Sequence, residues 1–428
     1  MKKKFFVSIL IVLFACSMIF AQGAAESSKD FRYANYSTET ESHYELTTSA
    51  IDNYNATNPA VKAVNDRLPH DAYLVQVNAL AAANDVQEVL HVNGTMSKSF
   101  GQTGALLRLN DFVAEYDYFG IDPNYYKEHS VKGDIYAIPW SVGTYGFIVY
   151  NAELLASVGY DEFPKDLVEF KDCSDKLIAK GIIPMAFGDK GLWPADSLTF
   201  SAFVNKFVGN EWTDNMVAKN GKASFNDPEF IQALAAFQQL AKDGTFNDNF
   251  TSLDNDERKA LYMRGEAAMI SAGDWEVQMI VEDTPEIAAV TEIAAWPGPA
   301  TGAKADDSFE VSCAWGVGIG SNVTDSQLDA IGTLLSEHLM TSEQGQKWAE
   351  EHSEFAAWPY EFDASKLNPL TAKLLDARRN VTACLNWDAV LDSSVKTIYQ
   401  RGLQELLVGS ISPEELGASM QAEYESLF

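Results

Sequence analysis

Short apolar runs alternate with amphipathic helical segments along most of this chain, and this alternation is the feature that most restricts its fold. The apolar run at residues 89–92 is followed by Asn-Gly-Thr, which is typical of the end of a strand. The run at residues 182–186 follows a helical segment that begins at Asp166 and ends at Gly181. Strands that alternate with helices indicate an α/β architecture.

Local capping signals mark several of the predicted helices. Asp227 precedes Pro228, a residue that suits the first position of a helix, and an apolar stripe then continues to Leu240. Thr324 and Ser412 are each followed three residues later by Gln or Glu, which is the spacing of a capping box. These signals predict amphipathic helices after all three positions.

The charge balance excludes one class of partner and allows a large core. The chain has 428 residues with 31 Lys and Arg against 61 Asp and Glu, so its formal net charge is −30. Affinity for nucleic-acid backbones requires clustered Lys and Arg, so this composition argues against a nucleic-acid partner. Hydrophobic residues make up 46% of the chain, and at roughly 150 residues per domain two or three domains are expected.

The first residues have the pattern of an export signal. Three lysines at positions 2–4 precede an apolar run at 5–21, and small residues follow at 21–23. This order predicts a signal peptide at residues 1–23 and a mature protein that is periplasmic, because the apolar run is too short for a typical membrane-spanning helix. Cys16 lies in a sequence similar to a lipoprotein cleavage site, so a lipid anchor through Cys16 is the alternative.

The familiar catalytic and metal-binding motifs are missing from the sequence. The six histidines are dispersed, and no zinc, nucleophile-elbow or phosphate-loop spacing occurs, so we predict neither a metal site nor a cofactor. Cys173 lies at helical spacing among apolar residues and is interpreted as a core residue. A disulfide between Cys313 and Cys384 is possible but not required by the sequence.

Large aromatic residues next to Gly, Pro or Asp are the strongest indication of a binding site. An aromatic ring at the end of a loop can stack on the apolar face of a pyranose, while neighbouring carboxylates bind its hydroxyl groups. Asp274 and Trp275 form such a pair. The alternative is that each Trp covers the edge of a core. The tryptophans in this setting are Trp140, Trp193, Trp275, Trp315, Trp358 and Trp387.

Several ordered segments resemble one known family over nearly the whole mature chain. They include Gly-Asp-Ile-Tyr-Ala-Ile-Pro at 133–139, Tyr-Asn-Ala-Glu-Leu-Leu at 150–155, Phe-Asn-Asp-Pro-Glu-Phe at 225–230 and Gly-Asp-Trp at 273–275. Each segment is weak evidence alone, but their order is specific. The chain resembles the extracellular solute-binding proteins of ABC importers, in the sugar-binding branch that includes maltose-binding protein. The sequence between Pro59 and Val75 departs from the family pattern.

The resemblance implies a two-lobe α/β fold of the periplasmic-binding-protein type II, or venus-flytrap, kind, with the ligand cleft at the hinge. The first lobe would comprise residues 31–138 and 300–340, and the second lobe 139–299 and 341–428. The chain would cross between lobes near 139–143, 297–299 and 339–341. A monomer would close over a carbohydrate and deliver it to an ABC transporter permease without covalent chemistry.

The resemblance also implies which residues bind the ligand. In the first lobe, contacts would come from two loops that each follow a strand, and in the hinge and second lobe from aromatic residues together with Asp274. The expected ligand-binding residues are Thr38, Glu39, Asn93, Gly94, Trp140, Tyr145, Trp193, Asp274, Trp275, Trp315 and Trp358.

Two other functions remain open at this point. A secreted glycan-active enzyme would need only two carboxylic acids about 5 to 10 Å apart, a distance that the sequence does not give. The same fold could also bind a peptide, a polyamine or a metal chelate, although the many aromatic residues favour a sugar.

Overall fold

The computed structural model describes residues 30–37, 43–116, 120–123, 125–304, 308–379 and 382–427. The predicted signal peptide with Cys16, and the predicted ligand contacts Thr38 and Glu39, lie outside these ranges. Within them, no helix is both long enough and apolar enough to cross a membrane.

In the described residues the strands form two main sheets and two small ones, and they alternate with helices as the sequence pattern predicts. The larger sheet has the order β2-β1-β3-β13-β6, and the second has the order β11-β8-β10-β9. In chain order the strands are β1 (Phe31–Asn35), β2 (Ala63–Arg67), β3 (Val89–Asn93), β4 (Ser130–Val131), β5 (Asp134–Ile135), β6 (Ile138–Pro139), β7 (Gly143–Tyr145), β8 (Phe147–Asn151), β9 (Ile183–Ala186), β10 (Ala267–Ala272), β11 (Thr291–Ala294), β12 (Ser308–Ser312), β13 (Trp315–Ile319) and β14 (Thr382–Cys384).

Helices connect and cover these strands. They are α1 (His43–Ala56), α2 (His70–Ala82), α3 (Gly94–Thr103), α4 (Asn110–Glu115), α5 (Ala152–Ala156), α6 (Leu167–Ala179), α7 (Trp193–Ala195), α8 (Ser201–Val217), α9 (Pro228–Lys242), α10 (Asn255–Met263), α11 (Asp274–Asp283), α12 (Pro285–Ala288), α13 (Asp325–Thr333), α14 (Ser342–His352), α15 (Pro369–Arg379), α16 (Trp387–Val390), α17 (Ser393–Leu407) and α18 (Pro413–Glu425). Short 3-10 turns occupy Tyr125–His129 and Ala364–Lys366, and π-helical turns occupy Asp196–Phe200 and Leu334–Leu339.

The capping signals in the sequence mark real helix starts. The carboxylate of Asp166 accepts hydrogen bonds from two backbone N–H groups at the start of α6. Thr324 and Ser412 each form a complete capping box, at the starts of α13 and α18. Helix α9 begins at Pro228 as predicted, although the side chain of Asp227 does not cap it. These starts were predictable because each depends on residues within one turn of the chain.

Among the described residues, each lobe has a main hydrophobic core of its own. The larger sheet packs against α1 and the segment around Leu334 and Leu339, where Phe31, Val317 and Trp348 are all buried. The second sheet packs against α6, α8, α9 and the C-terminal helices α17 and α18. Cys173 is fully buried in this second core, which confirms its predicted role. The predicted α/β fold with two lobes is therefore confirmed.

A three-stranded sheet of β14, β12 and β7 connects the lobes. Strand β7 continues through Gly146 into β8 of the second sheet, and β12 continues through Ala314 into β13 of the larger sheet. Cys313 and Cys384, at the ends of β12 and β14, are buried free thiols rather than a disulfide.

Two of the predicted crossings are wrong. Residues 297–299 stay with the second lobe, since Gly298 accepts a hydrogen bond from the backbone N–H of Leu167 at 2.9 Å. The chain crosses instead between β12 and β13. Helix α14 and the segment after it pack in the first core through Trp348 and Trp358, so the predicted boundary at residue 341 lies too early. The chain returns to the second lobe only between Trp358 and Leu370.

Candidate functional site

An aromatic cluster lies where the two lobes meet the connecting sheet. We call it the cleft cluster. It combines half-buried indole rings with small apolar residues from both lobes, and two more rings from the first lobe contact it. Its members are Tyr36, His70, Tyr145, Trp193, Leu198, Trp275, Ala314, Trp315, Ala389 and Val390.

The first lobe contributes three rings from three different elements. Tyr36 follows β1, His70 begins α2 and Trp315 begins β13. The ring centroids of Tyr36 and Trp315 are 4.4 Å apart, and those of Tyr36 and His70 are 5.3 Å apart. Strands β1 and β13 both neighbour β3 in the larger sheet, which places their residues at one edge of the cleft.

The second lobe contributes rings that face these. Trp193 begins the short helix α7 directly after Leu192, whose φ of 66° turns the chain sharply. The rings of Trp193 and His70 lie 5.9 Å apart and therefore contact each other across the cleft. Tyr145, on the connecting strand β7, makes an edge contact with Trp275, with the centroids 5.3 Å apart. Rings of the two lobes therefore contact each other within the cluster.

The carboxylate of Asp274 is buried and has a backbone partner. Its Oδ2 accepts a hydrogen bond from the backbone N–H of Thr144 at 2.9 Å, which joins the start of α11 to strand β7. Burial raises the pKa of Asp274 to about 6, although the Thr144 N–H and the nearby Arg378 both act to lower it. Asp274 therefore holds Trp275 against the connecting strand, and this hydrogen bond occupies one of its two oxygens.

Asn93 and Gly94 form the start of helix α3 at the base of the cleft. The side chain of Asn93 accepts a hydrogen bond from the backbone N–H of Met96 at 2.9 Å and so caps the helix. The backbone N–H of Gly94 donates to the carbonyl of Ala314 at 3.0 Å. A Cβ atom on Gly94 would lie 2.6 Å from the carbonyl oxygen of Ala389, so only glycine allows this approach.

A second buried carboxylate also has a structural role. Glu128 accepts hydrogen bonds from the hydroxyl of Ser312 and from the backbone N–H of Cys313, at the point where β12 leads into the first lobe. Burial raises the pKa of Glu128, and these donors oppose that shift. In the part of the chain that the structure describes, no group of three or more His, Cys, Asp and Glu side chains is arranged to hold a metal ion.

Comparison with known sequences decides the family. The family model for bacterial extracellular solute-binding proteins matches residues 36–347, which is most of the chain. The chain belongs to this family. The family assignment made from the ordered sequence segments is thereby confirmed.

Individual relatives of this solute-binding protein match over shorter stretches. An uncharacterized ABC transporter extracellular-binding protein of Pyrococcus horikoshii is 31% identical over 143 residues, which cover 33% of this chain and 31% of that protein. A probable sugar-binding periplasmic protein of Mesorhizobium japonicum is 25% identical over 212 residues, 48% of each. The sn-glycerol-3-phosphate-binding periplasmic protein of Brucella abortus is 29% identical over 126 residues, 29% of this chain and 28% of that protein. The matches thus span less than half of these relatives.

Solved structures match the fold over nearly the whole chain. A chitin oligosaccharide binding protein superposes with a TM-score of 0.83 at 23% sequence identity, covering 93% of this chain and 98% of that one. A maltose-bound protein of T. maritima superposes with a TM-score of 0.73 at 19% identity, covering 93% and 100%. At these identities, the likeness establishes the two-lobe fold of the solute-binding protein.

Two of the predicted contact residues lie in the first core instead of the cleft. Trp140 is fully buried, with its ring centroid 5.4 Å from that of Trp348 and 5.6 Å from that of Trp358. Trp358 is also buried, and its Nε1 donates to the carbonyl of Thr341 at 2.8 Å. Both indoles fill the space between α14 and the larger sheet, so the alternative interpretation of a Trp as a core residue applies to them.

The other predicted residues that the structure describes lie in or beside the cleft cluster. Tyr145, Trp193, Trp275 and Trp315 belong to the cleft cluster, and Asn93, Gly94 and Asp274 support its base and one wall. Trp387, noted in the sequence beside Asp, lies in the second core.

Sequence reasoning missed six residues of the cluster, which are Tyr36, His70, Leu198, Ala314, Ala389 and Val390. Tyr36 lies at the end of a predicted strand, and His70 lies in the stretch between Pro59 and Val75 that departs from the family pattern. Ala389 and Val390 carry no signal of their own, because small apolar residues are common everywhere. A His directly before a run of helical residues was the one available hint at position 70.

Proposed function

We propose that this solute-binding protein captures a neutral carbohydrate between its lobes and delivers it to the permease of an ABC transporter. The main support is that aromatic rings from both lobes converge on one cleft. Tyr36, His70 and Trp315 lie on one side, and Trp193, Trp275 and Tyr145 lie on the other. Stacking of sugar faces on such rings favours pyranoses, because each ring presents a flat apolar surface of matching size. A ligand that contacts rings of both lobes stabilises the closed state.

The charges around the cleft favour a neutral ligand over a phosphorylated one. Phosphate recognition draws on Arg and Lys side chains and on uncapped helix N-termini. Here the Lys98 ammonium donates to the carbonyl of Ala389, and Arg378 donates to the hydroxyl of Thr144. The N-terminus of α3 is capped by Asn93. The sn-glycerol-3-phosphate named for one relative is therefore the second candidate ligand.

A thermal-shift screen of the chain from Ala24 tests this proposal. The panel contains mono- and oligosaccharides including maltose and chitotriose, together with sn-glycerol 3-phosphate, spermidine and a tripeptide. A ligand at 100 times its dissociation constant stabilises the protein by about 2.7 kcal/mol, which moves the melting temperature measurably. We expect a shift with at least one neutral sugar. A shift with sn-glycerol 3-phosphate alone would replace the sugar by the second candidate, and spermidine or the tripeptide alone would refute both.

Paired variants locate the binding site. We expect Trp275→Ala to raise the dissociation constant for the identified sugar roughly tenfold, because it removes one stacking face. Trp212→Phe is the matched control, since Trp212 packs on Phe230 and Trp387 in the second core. Equal effects of the two variants would move the site away from the cleft cluster.

The protein acts without catalysis in this proposal. Asp274 and Glu128, two of the buried carboxylates near the cleft, each accept a hydrogen bond from a backbone N–H group. An assay of reducing ends after incubation with the identified oligosaccharide tests this directly. Recovery of intact sugar fits a receptor, whereas steady release of new reducing ends would assign the protein to the glycan-active enzymes.

Location and assembly belong to the same proposal. We propose that residues 1–23 direct export and are removed near Gly23, and that a monomeric protein then acts in the periplasm. The mass of the processed protein distinguishes cleavage near Gly23 from lipidation at Cys16. Light scattering of the purified chain from Ala24 measures its molar mass, which we expect to be that of a monomer.

A further inference from the structure

Two side chains near the start of α3 form three hydrogen bonds with the segment that follows strand β14. The hydroxyl of Thr95 contacts the carbonyl oxygens of Asp388 at 2.7 Å and Leu391 at 3.2 Å. The ammonium of Lys98 donates to the carbonyl of Ala389 at 2.8 Å. Both side chains lie one turn apart on the same face of the helix, so they hold one short stretch of backbone.

These bonds join the two lobes. Helix α3 packs in the first lobe, where Met96 and Phe100 are buried beside Leu90 of the larger sheet. The opposite segment belongs to the second lobe, because Trp387 and Leu391 are buried in its core. Any movement that separates α3 from this segment must break the bonds.

The segment held in this way also forms part of the cleft cluster. Ala389 and Val390 contact the aromatic residues there, with Ala389 buried. The approach is close enough that Gly94 has no room for a side chain beside the carbonyl of Ala389. The position of α3 therefore fixes the position of one wall of the cleft.

Lys98 makes this contact in a partly buried position with charged groups nearby. Its side chain is half-buried, and burial lowers its pKa to about 8 against the opposing influence of Glu128 and Asp392. On the second lobe, Lys396 forms an ion pair with Asp388 and so steadies the accepting backbone from the other side. Loss of the Lys98 ammonium alone, with the lobes in place, would remove this donor from the Ala389 carbonyl.

We propose that Thr95 and Lys98 are positioning residues that hold the Ala389–Val390 wall against the ligand and set the closed population of the protein. They act through the backbone of the second lobe and not by touching the sugar. This inference rests on the proposed function for its effect on affinity, but its effect on closure stands apart from any ligand.

Two isosteric losses and two conservative replacements test the proposal. Thr95→Val and Lys98→Met remove the donors, while Thr95→Ser and Lys98→Arg retain them. Thr103→Val is the matched control, because the Thr103 hydroxyl bonds only to carbonyls of Ser99 and Phe100 within the same helix. Dyes on cysteines introduced at the exposed positions Val75 and Val168, one in each lobe, report lobe separation by single-molecule energy transfer. The described native cysteines are buried.

We expect Thr95→Val and Lys98→Met to shift the ligand-free separation towards the open state and to raise the dissociation constant for maltose or chitotriose about tenfold each, at nearly unchanged melting temperature. Thr95→Ser and Lys98→Arg should restore both values. Wild-type separations in Thr95→Val and Lys98→Met overturn the proposal even if neither sugar binds. If neither sugar binds but Thr95→Val and Lys98→Met still shift the lobes towards the open state, the positioning role of Thr95 and Lys98 is retained and only the sugar assignment is refuted. Equal loss of melting temperature in all four variants would mean a purely structural role and overturn it.

Discussion

Replacing Asp274 by Asn should change how the stability of the protein depends on pH. The carboxylate of Asp274 is buried, and its pKa is raised from 3.8 to about 6 mainly because burial disfavours the charged form. Asn keeps an oxygen that can accept the Thr144 N–H but cannot ionise. The two proteins therefore differ chiefly in one titration.

The size of the effect follows from the difference in pKa between the folded and unfolded states. Below pH 3.8 the carboxyl is protonated in both states and makes no pH-dependent difference. Above that value the unfolded state loses its proton first, so the stability that the neutral acid contributes is lost as the pH rises through about 6. A shift of about 2 units corresponds to roughly 3 kcal/mol. The free energy of unfolding of Asp274→Asn minus that of wild type should therefore be larger at pH 7 to 8 than at pH 3.5, by this amount.

Urea unfolding of both proteins at intervals between pH 3.5 and 8 measures this difference, with fluorescence and far-ultraviolet circular dichroism compared to detect separate unfolding of the lobes. Other buried acids titrate equally in both proteins, so the subtraction isolates Asp274. Asp274→Ala serves as the control that also removes the acceptor for Thr144, and it should be less stable than Asp274→Asn at every pH. The reasoning would be refuted if the difference in free energy of unfolding between wild type and Asp274→Asn stayed constant from pH 3.5 to 8.

Three further changes test other parts of the structure. Arg258→Met leaves Glu276 unpaired in the second lobe, where both side chains are at most 2% exposed and 2.5 Å apart, and should lower the free energy of unfolding by about 3 to 5 kcal/mol in urea titrations. Trp358→Phe removes the donor to the Thr341 carbonyl and should lower the free energy of unfolding by about 1 to 2 kcal/mol. Sugar affinity, measured by calorimetry, should not change. A large loss of affinity would return Trp358 to the binding site. Gly94→Ala places a Cβ 2.6 Å from a backbone oxygen and should destabilise the closed state by about 1 to 3 kcal/mol, seen as weaker sugar binding.

Sequence reasoning succeeded where the signal was local. The Asp166 cap, the Thr324 capping box and the buried Cys173 all depend on residues within a few positions of one another, and the structure has each of them. The α/β class followed from the same local periodicities.

Sequence reasoning failed where the deciding contacts join distant residues. The boundary at 341 was wrong because Trp140 and Trp358 meet across more than two hundred positions of the chain, and no local pattern records that contact. His70 reaches the cleft only because α2 begins beside β13, so its role follows from the packing of the sheet and not from its neighbours in sequence.

The three crossings between the lobes also bear on how the chain folds as it is made. The second core is completed by Trp387, Tyr399 and Met420, which come from the last helices to be synthesised, and the first core requires Trp348 and Trp358. Neither core can reach its native packing while the nascent chain lacks its final quarter. In the export that we propose, the chain threads through a translocation pore as an extended polymer, and this delay keeps a compact lobe from forming early enough to block its passage.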